Sequence, residues 1–167
     1  MGPFFTLGLD WLNRADLMPA DRTSPRLTVV GRVTDGEGRA VPDAVLELWQ
    51  ADAQGVYGAS DEGFARVPTD PEGRFRFTTV RPGRVAAPDG TLQAPHILIS
   101  LFARGLLVRL VTRIYFPLDP ANEEDFALRR VHPARRATLI AAVGDDAAHL
   151  EWNVVLQGPG ETVFFDC

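Results

Sequence analysis

The sequence contains no lysine: its 17 basic residues are all arginine, against 22 acidic ones, for a net charge of −5 and a pI of about 5.1. An acidic chain repels nucleic-acid phosphates overall, so uniform arginine usage points to GC-rich coding rather than to a nucleic-acid partner. Cysteine is nearly absent too, with Cys167 alone at the last position. That excludes an internal disulfide and favours a reducing compartment, the cytoplasm. No run of about 18 apolar residues occurs, which excludes a membrane-spanning helix. The opening "MGPFFTLGLDWLNRADLMP" lacks a basic start, and Asp10, Arg14 and Asp16 interrupt its apolar residues, so it does not read as a signal peptide.

What is present is ordinary globular material, 46% apolar and 23% charged. A chain of this length folds as one domain and buries roughly 70% of the surface exposed when unfolded. From residue 27 the pattern is all-β. "LTVVGRVTD", "AVPDAVLELWQAD", "RFRFTTV", "HILISLFA", "LVRLVTRIYF", "RATLIAAV" and "LEWNVVLQG" read as strands separated by turns such as Asp35–Gly38 and Asp70–Gly73. Seven or so short strands at regular spacing predict a β-sandwich over 27–167. Residues 117–130 break the rhythm as a loop with a helical turn, Asp119 capping and Pro120 at the first helical position. Residues 1–26 read as an extended arm whose Phe4, Phe5 and Trp11 must bury against the sandwich or a partner.

Chemistry-bearing residues are few. His96 enters a strand in "QAPHILISLFARG", sharing a face with Leu98 and Ser100. A metal site on this strand would want histidines at both 96 and 98, and position 98 is leucine. His132 and His149 lie in polar loop sequence without a chelating partner. Arg109 and Arg113 share a strand face with Val111 and suit interface ion pairs. Trp49 and Gln50 suit a strand-end core position and a turn cap, and "GETVFFDC" a buried or interface strand end.

The segments "GRVTDGEGRAVPDAVLELW" and "TDPEGRFRFTTVRPG" fit many transthyretin-like sandwiches. The stretch "LELWQADAQGVYG" narrows the reading, because it resembles the intradiol ring-cleaving dioxygenases, where a strand ending in Trp-Gln-Ala leads to an iron-ligating tyrosine. "GPFFTLGL", "APHILISLFARGLLVRLVTRIYF" and "RRATLIAAV…LQGPGETVFFDC" extend the resemblance over nearly the whole chain, specifically to the alpha chains of the family's two-chain members. The residues usual before the Gly-Pro are missing at the N-terminus here, so no contribution from them is expected.

The resemblance implies ferric iron bound by two tyrosinates, two histidines and a hydroxide, a donor set suited to a hard trivalent cation. Tyr57 falls at the first tyrosine position and His96 at the first histidine position. The second tyrosine position, within Arg84–Ala87, holds none, and the second histidine position is Leu98; Tyr115 lies outside the ligand positions. Tyr57 and His96 are therefore expected to be vestigial, with Fe(3+) held instead by a homologous iron-bearing beta subunit in a higher alpha-beta oligomer. The expected reaction is cleavage of protocatechuate by O2 to 3-carboxy-cis,cis-muconate. This chain would contribute no catalytic residue but would line the partner's substrate pocket with Arg104, Gly2, Pro3 and Phe4: the arginine to orient a ring carboxylate, the others to allow close backbone approach and supply an aromatic wall. Two rivals stay open on sequence alone: a transthyretin-like binding or structural module without catalysis, and a divergent dioxygenase holding its own metal.

Overall fold

The computed structural model describes residues 9–18, 20–21, 23–58 and 62–166. Among the described residues nine strands form two facing sheets. One has the order β4(Arg74–Val80), β1(Arg26–Thr34), β8(His149–Glu151), β7(Ala142–Val143), with β9(Val154–Val155) also pairing with β1. The other has the order β3(Phe64–Pro68), β2(Val45–Trp49), β5(His96–Phe102), β6(Leu110–Tyr115). The predicted all-β sandwich is therefore the observed architecture.

Alternation selects the faces. Val29 and Val33 on β1 and Phe75 and Phe77 on β4 point inward from the first sheet. Leu46 and Leu48 on β2, Ile97, Ile99 and Leu101 on β5 and Ile114 on β6 point inward from the second, and all are buried. Gly31 faces inward where the others carry side chains, because a Cβ there would lie 1.8 Å from the Trp152 carbonyl oxygen and 2.5 Å from the Phe75 ring.

Three readings need correction. "RATLIAAV" is not one strand: Pro133–Leu139 form a 3-10 helix, with His132 as N-cap and Pro133 at its first position, leaving only β7 extended. "LEWNVVLQG" is two strands, interrupted at Trp152 and Asn153. Asn153 Oδ1 there accepts the Arg32 backbone N–H at 2.9 Å, replacing a ladder bond, while the Trp152 ring turns into the core. His149 begins β8, exposed and bonded to Asp146, and is not loop. One strand, β3, was not anticipated.

The predicted helical segment over 117–130 exists as a 3-10 helix, Pro120–Glu123, and a short helix α1(Phe126–Arg130). Asp119 caps the first by accepting the Ala121 N–H, as expected. Asp125 caps α1 and does more. Fully buried, its carboxylate accepts from Ala127 N and Leu128 N of the helix, from Ala94 N at 2.9 Å and from the Tyr115 hydroxyl at 3.0 Å.

Residues 14–18 run between the two edge strands. Arg14 exchanges backbone hydrogen bonds with Arg66 of β3, while Ala15 and Leu17 bond Thr78 of β4; Leu17 and Met18 enter the core. The β3 and β4 edges are thereby paired, which removes one template for edge-to-edge association. Trp11 stays exposed.

Asp125→Ala leaves a buried hydroxyl and a buried N–H unpartnered and uncaps α1, so urea unfolding should show a loss of about 3 kcal/mol. Tyr115→Phe removes one of those bonds and should cost about 1 kcal/mol. Equal small losses would mean that the carboxylate does not organise this region.

Candidate functional site

The second sheet carries its chemistry on its outer face. The register aligns Phe64, Trp49, Leu98 and Arg113 in one row across β3, β2, β5 and β6, and sets His96 opposite Tyr115 in the next position along. Trp49 packs on Phe64, ring centroids 4.5 Å apart, with 43% of its surface exposed, so it belongs to this outer row rather than to the core. Gln50 does take the cap role: buried, it donates to the Ala51 and Val80 carbonyls and accepts from the Thr79 hydroxyl.

Two loops meet beside this face. Gly83 N donates to the Asp52 carbonyl, and Gly55 has φ +82 with a would-be Cβ 2.1 Å from the Arg84 carbonyl oxygen, so only glycine lets the loops touch. The first loop delivers Tyr57; the second is the Arg84–Ala87 segment, which folds back through a bridge between Ala86 and Leu92. The two tyrosine positions of the intradiol pattern are thus spatial neighbours, although only one holds a tyrosine.

His96 is buried, and its Nδ1–H donates to the Ala94 carbonyl at 2.8 Å, which leaves the lone pair on Nε2. Burial, reinforced by the Arg113 charge, brings its pKa down to about 4, so the ring is neutral. Tyr57 is 46% exposed, yet burial of its ring raises its hydroxyl above the ordinary range, only partly offset by Arg113, so the phenol stays protonated. Burial pushes the Tyr115 hydroxyl up as well.

Arg113 has a role within the chain that the sequence reading did not assign: its Nη1 donates to Gln93 Oε1 at 3.0 Å and to the Tyr115 hydroxyl at 3.2 Å, and its charge acts on Tyr57, His96 and Tyr115 together. The only advance signal was its place opposite Leu98 on a neighbouring strand, which the sequence does not print. A fixed guanidinium among the ligand positions repels a trivalent cation, and two of four donors are missing. The residues present do not fit ferric iron. Among the described residues no group of three or more His, Cys, Asp and Glu could hold a metal ion either.

The remaining candidates stand apart. Arg104 lies two residues beyond the far end of β5, a strand about 20 Å long that begins at His96. Its side chain is 66% exposed and pairs with Asp43 Oδ2 at 2.6 Å. Gly2, Pro3 and Phe4 lie outside the described residues. The tail rejoins the outer face: Phe165 N donates to the Val111 carbonyl and the Thr112 hydroxyl donates to the Val163 carbonyl, making 163–165 an added edge on β6.

The family model described as Dioxygenase (Dioxygenase_C) matches residues 2–158. The chain belongs to the intradiol ring-cleaving dioxygenase family. It is similar to the alpha chain of protocatechuate 3,4-dioxygenase from Burkholderia cepacia, 37% identical over 189 residues, covering 99% of this chain and 94% of that one. The beta chain from the same organism is 35% identical over 158 residues, covering 82% of this chain and 66% of the relative. Among solved structures, the dioxygenase domain of a dioxygenase–carbohydrate-binding fusion from Streptomyces sp. SirexAA-E superposes with a TM-score of 0.71 at 26% identity. That match covers 87% of this chain and 88% of the domain.

His96 generates a pH dependence of stability. Its folded pKa of about 4 lies below the ordinary 6.5, so between these values the unfolded chain binds more protons. Its contribution is complete above about pH 6.5 and falls as the pH drops toward 4, by about 3 kcal/mol in all. Urea denaturation across that window should show the loss, and His96→Gln should flatten it; an unchanged slope would assign the linkage to another group.

Proposed function

We propose that the chain is the non-metal alpha subunit of a protocatechuate 3,4-dioxygenase, acting in the cytoplasm. Its partner is a homologous beta subunit that holds the Fe(3+), in a higher alpha-beta oligomer, and the pair cleaves protocatechuate with O2 to 3-carboxy-cis,cis-muconate. The observation that carries this reading is a conjunction. The chain resembles alpha chains over nearly their full length, and its own ligand face has two donors of four with a guanidinium among them. A family member so built needs its metal from another chain.

This chain's contribution is then to bind and orient. Arg104, exposed at the end of β5 and lightly tethered by Asp43, is the proposed partner of the substrate carboxylate, which would replace Asp43 as its counter-charge. Gly2 and Pro3 are proposed to let the arm approach the partner's pocket closely, and Phe4 to supply a wall against the substrate ring.

Purified alone, the chain should contain no iron and show no tyrosinate-to-iron absorption, with cleavage appearing only on mixing with the beta chain. Iron-dependent colour and turnover from the lone chain would overturn the proposal. In the reconstituted pair, Arg104→Ala should raise KM for protocatechuate about tenfold while kcat changes little; an unchanged kcat/KM would remove Arg104 from the pocket.

A further inference from the structure

The outer face of the second sheet holds a hollow of about 200 Å3 beside the vestigial ligand positions. Its walls are Leu98, Val111, Phe126 and Phe165, and its charged lining is Arg113 and Arg130. We propose that this hollow is a binding site for a small organic monocarboxylate with an apolar body the size of one ring. Every residue that lines it comes from this chain.

Size sets the first limit. A cavity of about 150 Å3 accepts benzene, so this one holds a single ring with room for a carboxylate and little more. The walls set the second: two aliphatic and two aromatic side chains enclose an apolar body and disfavour a bare hydrated anion. Charge sets the third. Both guanidiniums are held over wall rings, Arg113 5.9 Å from the Phe165 centroid and Arg130 5.8 Å from that of Phe126, so they are positioned before any ligand arrives.

Among the described residues no carboxylate lines the hollow. The nearest buried one, Asp125, already accepts four hydrogen bonds, from Ala94, Tyr115 and the start of α1. Arg113 does donate to Gln93 and Tyr115, but through Nη1, leaving the rest of its planar fork to meet an anion. The adjoining hollow, about 600 Å3, differs: it shares Val111 and Phe165 but is lined by Asp166 as well as Arg109, and the carboxylate's charge opposes an anion.

The test uses the full chain and benzoate, followed by calorimetry and by the methyl NMR signals of Leu98 and Val111. Benzoate should bind one to one and shift those methyls, with benzamide and acetate each at least about tenfold weaker, since one lacks the charge and the other the apolar body. Arg130→Gln, an exposed position, should weaken benzoate about tenfold without altering the fold, and Arg113→Gln should do the same. Four results would each overturn the proposal: no benzoate binding at ten millimolar, equal binding of benzamide or acetate, methyl shifts elsewhere only, or affinity unchanged in Arg130→Gln.

Discussion

The Asp125 carboxylate collects hydrogen bonds from three stretches of chain that are otherwise independent: the start of α1, Ala94 at the entry to β5, and Tyr115 at the end of β6. A buried charge is tolerated only when its lone pairs are satisfied, and here four donors satisfy it. The bonds therefore constrain one another. The helix cannot slide along the sheet without releasing Ala94, and β6 cannot shift in register against β5 without releasing Tyr115. A small second core of Leu128, Val131, Leu139 and Tyr115 fills in beneath, and the tail residues Val163 and Phe165 pack against it. Phe126 and Arg130 take their places on the outer face because this carboxylate holds the helix there, while Phe165 is placed by its backbone bond to Val111.

From Tyr115 the constraint passes to Arg113. The Tyr115 hydroxyl donates to Asp125 and accepts from Arg113, so anion, phenol and cation form one chain of hydrogen bonds, and Gln93 accepts from the same guanidinium nitrogen. In a family whose outer-face pattern serves a ferric ion, this chain puts a covalently attached positive charge among the ligand positions. Leu98 opposite Arg113 completes the exchange, giving an apolar side chain where a second imidazole would bind. Tyr57 and His96 persist for different physical reasons. His96 is locked by its bond to Ala94 and stays neutral under burial, while Tyr57 tops a loop that Gly55 and Gly83 hold against its neighbour.

Much of this was legible in the sequence. The alternation in "RFRFTTV" and "HILISLF" grouped Phe75 with Phe77, and Ile97 and Ile99 with Leu101, on the faces that the structure turns inward, and Asp119 with Pro120 marked a helix start. Comparing positions 96 and 98 exposed the broken ligand pair. Other features left no usable mark. Asp125 is one of several acids between 119 and 125, and nothing local distinguishes the one that long-range contacts bury. "RATLIAAV" alternates well enough to pass for a strand, although His132 and Pro133 carried a helix-start signal that periodicity outweighed. Arg113 was assigned to the correct face, but its neighbours come from β5, the 84–93 loop and the C-terminal tail, and only tertiary structure brings them together.

The two ends of β5 now separate two kinds of chemistry. At the His96 end the cation is Arg113, held by Gln93 and Tyr115 and stacked near Phe165, so its position is set within this chain. At the other end Arg104 is exposed and engaged by a single half-exposed carboxylate, Asp43. Ion pairs of that kind contribute little to stability, so selection for the fold alone gives weak reason to keep an arginine there. A guanidinium that its own chain holds loosely can exchange counter-ions, whereas one fixed on several sides can only receive a ligand shaped to it. A fixed cation on β6 thus faces a hollow at one end of β5, while beyond the other end a lightly held one faces outward, and the outward one is suited to a site completed by a second chain.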